Sequence, residues 1–139
     1  MVNRSDSRIE RVLLTGLDGF TGRHLAVELR TASYTVQGLT ATDGSSVDLL
    51  DAAAVLDVVR EYQPQAVIHL AAQSFAGHGD IEAIYRTNIV GTRNLLLALA
   101  SLAQKPQTVL LASTAHVYGN ALAHDAVLSE GAALQPSND

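Results

Sequence analysis

Three glycines in the sequence stand at a spacing that suits phosphate binding. The segment TGLDGFTG carries Gly16, Gly19 and Gly22 in the pattern G-x-x-G-x-x-G, between a short apolar run and a helical pattern. Glycine at these positions would allow a sharp turn, close approach of the backbone to a pyrophosphate, and tight packing of helix on strand. Free N–H groups at the helix N-terminus and the hydroxyl of Thr21 would complete such a site. We interpret the segment as a nucleotide-binding turn rather than a ligand-free glycine turn, and the lack of Gly-Lys-Ser/Thr excludes a P-loop.

Hydroxyl groups follow a later apolar run. The segment LASTAHVYGN places Ser113 and Thr114 at the end of TVLLAST. Ligands of parallel sheets bind beyond the carboxyl ends of the strands. Another apolar run, AVIHLAA, finishes in Ala71 and Ala72, whose small side chains would let a flat group lie against the backbone. The alternative at that strand end is small residues packed on a helix.

The remaining polar residues argue against metal and hydrolytic chemistry. His69 lies inside an apolar run, which favours a hydrogen-bonded core histidine over a ligand or a base. The five histidines show no paired ligand spacing, and the absence of cysteine excludes disulfides, thiolate zinc sites and a cysteine nucleophile. No G-x-S-x-G elbow is present. We therefore predict neither a metal site nor a serine hydrolase.

The elements that must position these groups alternate along the chain. RVLLT, YTVQGLTA, AVIHLAA and TVLLAST have strand character, although Gly38 weakens the second. Helical patterns separate them: one after the glycine turn, one that begins at the N-cap Asp51, and one long pattern over 80–104. Close packing on a neighbour would explain Gly91 inside the long helix. The order β-α-β-α-β-α-β predicts a doubly wound, Rossmann-type α/β fold, with a parallel sheet between helices and a loop after Gly119.

The composition fits one water-soluble domain. The 139 residues are 47% hydrophobic and 17% charged, and they carry a net charge of −5. The negative charge argues against nucleic-acid or anionic-membrane partners. The N-terminus lacks the apolar core of a signal peptide, and no apolar run reaches the roughly 18 residues of a membrane span. We therefore expect a cytoplasmic protein.

Five segments together resemble one family. TGLDGFTG resembles the T-G-x-x-G-F-x-G turn of the extended short-chain dehydrogenase/reductases, the NAD(P)-dependent nucleotide-sugar epimerases, dehydratases and 4-keto reductases. VDLLD, VIHLAAQS, NIVGTRNLL and STAHVYG are similar to later segments of that family, in the same order. The matches spread over nearly the whole chain. Residues 1–139 are therefore identified as the NAD(P)-binding Rossmann domain of such an enzyme, incomplete because the substrate domain is absent.

The resemblance implies roles for individual residues. The family's Ser or Thr before x-x-V-Y-G holds a sugar oxygen, and this catalytic role falls on Thr114. The helical Asn88 would hold backbone or water near the nicotinamide ribose, with polar helix packing as the alternative. The implied cofactor-binding residues, with the adenine pair of VDLLD among them, are Gly16, Gly19, Phe20, Thr21, Gly22, Asp48, Leu49, Leu70, Ala71, Ala72, Gln73, Asn88, Ala112 and Ser113. The implied substrate-binding residues are Ser74, Thr114, Ala115 and His116.

The choice of dinucleotide follows from the end of the second strand. Dinucleotide folds that choose NAD usually place Asp or Glu there to bind the ribose 2′-OH. Asp43 is the only acid nearby and lies late for this role, while no Arg or Lys follows to hold a 2′-phosphate. We expect NAD and leave NADP open. The resemblance also implies a nucleotide-sugar substrate and, for the full-length form, a homodimer.

One part of the family's machinery is missing from this sequence. In the family, the tyrosine of Tyr-x-x-x-Lys takes a proton from the sugar hydroxyl, and the lysine lowers the pKa of that tyrosine. None of the four tyrosines here has a lysine four residues later. The segment SEGAALQPSND resembles the acidic loop that precedes this tyrosine. We therefore expect the N-terminal part of a longer enzyme, inactive on its own.

Alternatives to this interpretation remain. A short non-catalytic dinucleotide-binding module that senses redox cofactor would carry the same glycine turn. A truncated fragment that self-associates through an uncovered sheet edge is a third hypothesis. Within the enzyme hypothesis, Ala115 and His116 stand where the family's dehydratases carry Asp-Glu, which favours a reductase or an epimerase.

Overall fold

A four-stranded parallel sheet forms the centre of the molecule. The computed structural model describes residues 9–73, 80–123 and 127–136. Its strands are β1 (Arg11–Thr15), β2 (Thr35–Gln37), β3 (Ala66–His69) and β4 (Thr108–Leu111). They lie in the order β2-β1-β3-β4, and every neighbouring pair is parallel. The predicted Rossmann-type α/β class is confirmed.

The strand register brings three carboxyl ends to one edge of the sheet. Thr15 pairs with His69, and His69 pairs with Leu111. The residues that follow these strands therefore lie side by side. Among them are the glycine turn, the two alanines after β3 and the hydroxyl pair after β4, as the sequence predicted.

Helices connect the strands. They are α1 (Phe20–Thr31), α2 (Ala52–Tyr62), α3 (Ile81–Tyr85) and α4 (Thr92–Ser101). The Asp51 carboxylate caps α2 by accepting hydrogen bonds from the N–H groups of Ala53 and Ala54, at 3.1 and 3.0 Å. Gln63 ends α2 in the left-handed conformation, with φ 49°, directly before Pro64. The prediction of this helix and of its cap is confirmed.

Three predicted boundaries differ from the structure. The long helix predicted over 80–104 is divided, because a π-helical segment (Arg86–Gly91) lies between α3 and α4. Strand β2 stops at Gln37, since the chain then turns into an antiparallel bridge between Thr40 and Ser46. The loop predicted after Gly119 was wrong in part, because a 3₁₀ segment (Ala115–Ala123), kinked at that glycine, extends to Ala123.

The core lies mainly between the sheet and the pair α2 and α4. Leu13 of β1, Val67 of β3, Val55 and Val59 of α2 and Leu95 of α4 are fully buried in one cluster. Neighbouring residues of a strand point to opposite faces of the sheet. Val12 and Leu14 are buried outside this cluster, and α1 packs on β1 and β2. Helices therefore cover both faces, which fixes the strand ends in place.

Strand β4 is less covered than the other strands. Val109, Leu110 and Leu111 are each 39–49% exposed, and β4 pairs only with β3 among the described residues. Helix α4 also exposes Leu97. In the described ranges, no helix combines the length and apolar character needed to cross a membrane.

Candidate functional site

The glycine turn after β1 has no room for side chains. Gly16 adopts φ +72°, and a Cβ added to it would lie 2.8 Å from the backbone nitrogen of Ala71. A Cβ on Gly22 would lie 2.0 Å from the carbonyl oxygen of Gly16. The Gly19 N–H donates to the same Gly16 oxygen at 3.0 Å. The three glycines therefore meet the predicted needs of a sharp turn and a close approach of helix and strand.

Helix α1 begins directly on this turn. Gly19 is the N-cap residue, and no side chain caps the helix. The first N–H groups of a helix lack partners within the helix and attract anions, which the helix dipole favours. Phe20, the first residue of α1, is 75% exposed, with the guanidinium of Arg23 5.5 Å from its ring centroid. Thr21 is exposed beside it, so both predicted contact residues are accessible at the helix start.

A buried hydrogen-bond chain ties β1, β3 and α4 together. Thr15 Oγ1 lies 2.6 Å from His69 Nδ1, and His69 Nε2 lies 2.8 Å from Thr92 Oγ1. Neutral imidazole has one donor and one acceptor nitrogen, so either tautomer can be satisfied by the two hydroxyls. Burial lowers the pKa of His69, which favours this neutral form. The prediction of a satisfied core histidine is confirmed.

This chain also reaches the floor of the site. The Ala71 N–H donates to Thr15 Oγ1 at 3.2 Å. The hydroxyl therefore holds the same backbone nitrogen that Gly16 approaches. Thr15 and Thr92 were not predicted as site residues. A signal was present in the sequence, because Thr15 directly precedes Gly16 in TGLDGFTG and Thr92 directly follows Gly91 in NIVGTRNLL.

Asn88 holds the end of the segment that follows β3. Its Oδ1 accepts the N–H of Gln73 at 2.8 Å, and its Nδ2 donates to the carbonyl of Gln73 at 2.9 Å. Asn88 lies in the π-helical segment, and π-helical turns often occur at functional sites. Of the two roles weighed for Asn88, holding backbone is the one that the structure supports.

An open cleft of ≈ 820 Å³ lies at the carboxyl ends of β3 and β4. His69 and Thr92 lie at its base. Thr114 is exposed here, and its Oγ1 accepts the N–H of His116 at 3.2 Å. The predicted site residues that line this cleft are Leu70, Ala71, Ala72, Gln73, Asn88, Ala112, Ser113, Thr114 and His116. Ala115 is exposed next to them, and Ser74 lies outside the described residues.

A second pocket of ≈ 500 Å³ lies beside the glycine turn. Gly16, Gly19 and the end of β2 line it, and Ala71 lines both this pocket and the cleft. Arg30, which was not predicted as a site residue, also lines the second pocket. Ala71, which Gly16 approaches closely, is therefore the wall that the two cavities share.

The predicted adenine pair lies elsewhere. Asp48 is exposed, and its Oδ1 accepts the N–H of Leu50 at 2.9 Å, beside a third pocket that Gln73 also lines. Leu49 is buried at 6% exposure, and its Cβ would meet a Cβ on Gly91 at 2.9 Å. This contact confirms the close packing expected of Gly91. Within the described ranges, no group of three or more His, Asp or Glu residues could hold a metal ion.

The fold and the site together define a dinucleotide-binding α/β protein, and comparisons with known proteins identify its family. The family model for the NAD dependent epimerase/dehydratase family matches residues 12–138. The chain belongs to this family. The resemblance to the extended short-chain dehydrogenase/reductases is thereby confirmed, and so is the predicted cofactor, NAD, because the family is NAD-dependent.

Individual relatives agree with this assignment. The GDP-6-deoxy-D-talose 4-dehydrogenase of Aggregatibacter actinomycetemcomitans is 33% identical over 92% of this chain and 42% of its own length. An inferred epimerase from Burkholderia cenocepacia J2315 is 43% identical, with a TM-score of 0.78 over 93% of this chain and 45% of its own. The UDP-glucose 4-epimerase of Thermus thermophilus, in complex with NAD, is 29% identical, with a TM-score of 0.74 over 91% and 44%.

Two of these three relatives are named for nucleotide sugars, and all three are longer than this chain. Other matching proteins include UDP-glucose 4-epimerases and a dTDP-glucose 4,6-dehydratase. The chain spans less than half the length of the relatives described above. The homologues therefore include nucleotide-sugar epimerases, dehydratases and dehydrogenases.

Proposed function

We propose that this chain is the cofactor-binding half of an NAD(P)-dependent nucleotide-sugar epimerase, dehydratase or 4-keto reductase. The observation that carries the proposal is the contact between Gly16 of the glycine turn and Ala71, because Ala71 lines both the pocket beside that turn and the cleft that contains Thr114. A dinucleotide has two halves joined by a pyrophosphate. Two cavities that share a wall next to a glycine turn suit that shape.

The residues present fit the cofactor. The uncapped N-terminus of α1 would take the pyrophosphate, and the pocket at the end of β2 would take the adenosine half. The nicotinamide half would lie in the cleft, against the small residues Ala71 and Ala72. When bound, the cofactor accepts a hydride from a sugar carbon or returns one to it. The chain's own contribution is to bind and orient both partners of that transfer.

Thr114 is the residue proposed to contact the sugar. Its hydroxyl is exposed at the mouth of the cleft and already accepts one hydrogen bond, from the N–H of His116. A hydroxyl can donate one hydrogen bond while accepting others, so Thr114 can still donate to a sugar oxygen. Ser113 and His116 line the same cleft. The general base, the tyrosine of Tyr-x-x-x-Lys, is proposed to come from the part of the protein beyond this sequence.

A 4-keto reductase, a dehydrogenase or an epimerase is favoured over a dehydratase. Ala115 and His116 stand where the dehydratases of the family carry an acidic pair, and neither has a carboxyl group for proton transfer. The similarity to a GDP-6-deoxy-D-talose 4-dehydrogenase supports oxidation or reduction at a sugar carbon. We propose a nucleotide sugar as the substrate and a homodimer as the assembly of the full-length protein.

Conversion of nucleotide sugars by the full-length protein tests this proposal. UDP-, GDP- and dTDP-linked hexoses and 4-keto-6-deoxyhexoses are incubated with NAD⁺, NADH, NADP⁺ or NADPH, and products are followed by NMR and by absorbance of the reduced nicotinamide. Net oxidation or reduction supports a dehydrogenase or reductase. Inversion at a sugar carbon without net redox change supports an epimerase, and loss of water supports a dehydratase. Cofactor binding with no conversion of any sugar would support the non-catalytic module instead.

A further inference from the structure

At the end of β2, the wall of the second pocket has no carboxylate of the kind that selects NAD. Its walls at this point are Gln37, Gly38 and Thr40, which are all neutral. In dinucleotide folds, the residue about 20 positions after the glycine turn contacts the ribose 2′ position, and a carboxylate there selects NAD. Gly16 plus 20 positions falls at the end of β2, so the neutral wall stands where that carboxylate would be.

The nearest later acid is engaged elsewhere. Asp43 Oδ1 accepts hydrogen bonds from the N–H and the hydroxyl of Ser45, at 2.9 and 2.6 Å. These bonds lower the pKa of the Asp43 carboxyl and hold it in its own turn. Asp43 does not line the pocket, and the one carboxylate that does, Asp18, belongs to the glycine turn rather than to β2.

The pocket contains one cationic side chain instead. Arg30, in the last turn of α1, lines it. Among the described residues, its guanidinium makes one long hydrogen bond, from Nη2 to the carbonyl of Val36 at 3.4 Å. Arginine has five N–H donors in a fork that matches phosphate oxygens. Most of these donors are therefore free to meet a 2′-phosphate.

We infer that this protein accepts NADP(H) as well as NAD(H), with Arg30 as the residue that contacts the 2′-phosphate and the neutral wall at Gly38 as the reason NADP is not repelled. The inference rests on the proposed function and specifies its cofactor. Because Arg30 is exposed, its attraction for the phosphate is screened by solvent and is modest.

The structure also offers a way to reverse this preference. The nearest atoms to a Cβ on Gly38 would be side-chain atoms of Leu17 and Thr40, at 3.6–3.8 Å, which is ordinary van der Waals contact. The variant Gly38→Asp can therefore add its Cβ to the wall without a clash, and it brings a carboxylate to that wall. That carboxylate would hydrogen-bond the ribose diol of NAD and repel the 2′-phosphate of NADP.

Titration calorimetry of the full-length protein with NAD⁺ and with NADP⁺ tests the inference. We expect dissociation constants within about tenfold of each other. The variant Arg30→Gln should weaken NADP⁺ binding at least about threefold more than it weakens NAD⁺ binding, while the control Arg93→Gln, on α4 outside this pocket, should leave the ratio of the two affinities unchanged. The variant Gly38→Asp should weaken NADP⁺ about tenfold or more, while Gly38→Ala, which adds volume without charge, should keep the wild-type ratio.

Each part has an outcome that overturns it. NADP⁺ binding more than about tenfold weaker than NAD⁺ in the wild type would contradict dual acceptance. Equal losses for both nucleotides in Arg30→Gln would remove its phosphate role. An unchanged ratio in a folded Gly38→Asp protein would show that the 2′ position lies elsewhere, and Gly38→Ser reports on the same wall should that variant fail to fold. Failure of both dinucleotides to bind would instead contradict the proposed function.

Discussion

Asn88 binds the backbone of Gln73 through both ends of its side-chain amide: Oδ1 accepts the Gln73 N–H at 2.8 Å, and Nδ2 donates to the Gln73 carbonyl at 2.9 Å. The pair joins the π-helical segment to the chain that leaves β3. That chain also carries Ala71, which Thr15 holds by a hydrogen bond and Gly16 approaches closely. The segment that follows β3 is therefore held by Thr15 at Ala71 and by Asn88 at Gln73.

Removal of this amide should loosen the floor of the cleft. The variant Asn88→Ala loses two hydrogen bonds, each contributing about 0.5–1.5 kcal/mol. We expect the dissociation constant of NAD⁺ for the full-length protein to rise about tenfold, as measured by titration calorimetry. Asn88→Asp keeps the acceptor for the Gln73 N–H but sets a second oxygen against the Gln73 carbonyl, which has no proton to donate, so this variant should not restore wild-type affinity. Wild-type affinity in Asn88→Ala would show that the two hydrogen bonds between Asn88 and Gln73 do not contribute to NAD⁺ binding.

The glycine turn should not tolerate a methyl group at position 22. A Cβ there would lie 2.0 Å from the Gly16 carbonyl oxygen and 2.9 Å from the Cα of Leu17, so backbone must move. Overpacking of this kind costs about 1–3 kcal/mol. We expect Gly22→Ala to lower the free energy of unfolding by about that amount in urea titrations and to abolish NAD⁺ binding. Gly131→Ala, where no heavy atom lies within 4 Å, is the matched control, and a folded Gly22→Ala protein with wild-type affinity would refute this role for the turn.

Stability should depend on the protonation of His69. Burial lowers the pKa of His69 below the value of 6.5 expected for the unfolded chain. The unfolded state therefore binds the proton more readily, so His69 disfavours folding as the pH falls below 6.5 and ceases to do so above it. We expect His69→Gln to flatten the rise of unfolding free energy that occurs as the pH increases toward 6.5, measured by urea titrations at several pH values. An equal slope in His69→Gln would contradict the assignment.

The cap of α2 should affect stability without affecting binding. Asp51→Ala removes an N-cap carboxylate that accepts two backbone N–H groups. Such a loss costs about 1 kcal/mol, and Asn is as good a cap as Asp. We expect urea titrations to show this loss for Asp51→Ala and little change for Asp51→Asn, with NAD⁺ affinity unaltered in both. A binding defect in Asp51→Ala would mean that α2 influences the site more directly than its position suggests.

Local patterns were sufficient to predict most of the fold. The alternation of apolar runs and helical patterns predicted the order of the elements, and parallel pairing then placed Ala71 and Thr114 at one edge of the sheet. Asp51 marked a helix start because capping depends on residues two and three positions away. Gly22 was identifiable because its close contacts with Gly16 and Leu17 lie within the same turn, and Gly16 because its φ of +72° is a local requirement of that turn.

Contacts between distant residues explain what the sequence did not predict. The predicted long helix is interrupted by a π-helical segment that ends at Gly91, and Gly91 packs on Leu49. Asn94, in the first turn of α4, donates to the Leu49 carbonyl at 2.9 Å. These partners are more than 40 residues apart, so the helical periodicity could not indicate them. Arg30 joins the pocket at β2 only because α1 folds back along that strand.

The kink at Gly119 has a similar origin. Its φ of +61° brings it so close to the chain near Gln135 that a Cβ would lie 2.0 Å from the Gln135 carbonyl oxygen. The Gln135 N–H donates to the Val117 carbonyl at 2.8 Å. A contact between residues 16 positions apart leaves no periodic pattern in the sequence, so the sequence predicted only a loop after Gly119.

Thr114 is proposed to contact a sugar hydroxyl beside a dinucleotide bound at the glycine turn. The most direct test is the steady-state rate of nicotinamide oxidation or reduction by the full-length protein and its isosteric variant Thr114→Val, with the best substrate of the nucleotide-sugar panel. We predict that kcat falls about 100-fold or more, in keeping with the loss of a hydrogen bond made in the transition state, while the dissociation constant of NAD⁺ stays within about twofold. A Thr114→Val protein that turns over at the wild-type rate would contradict the account.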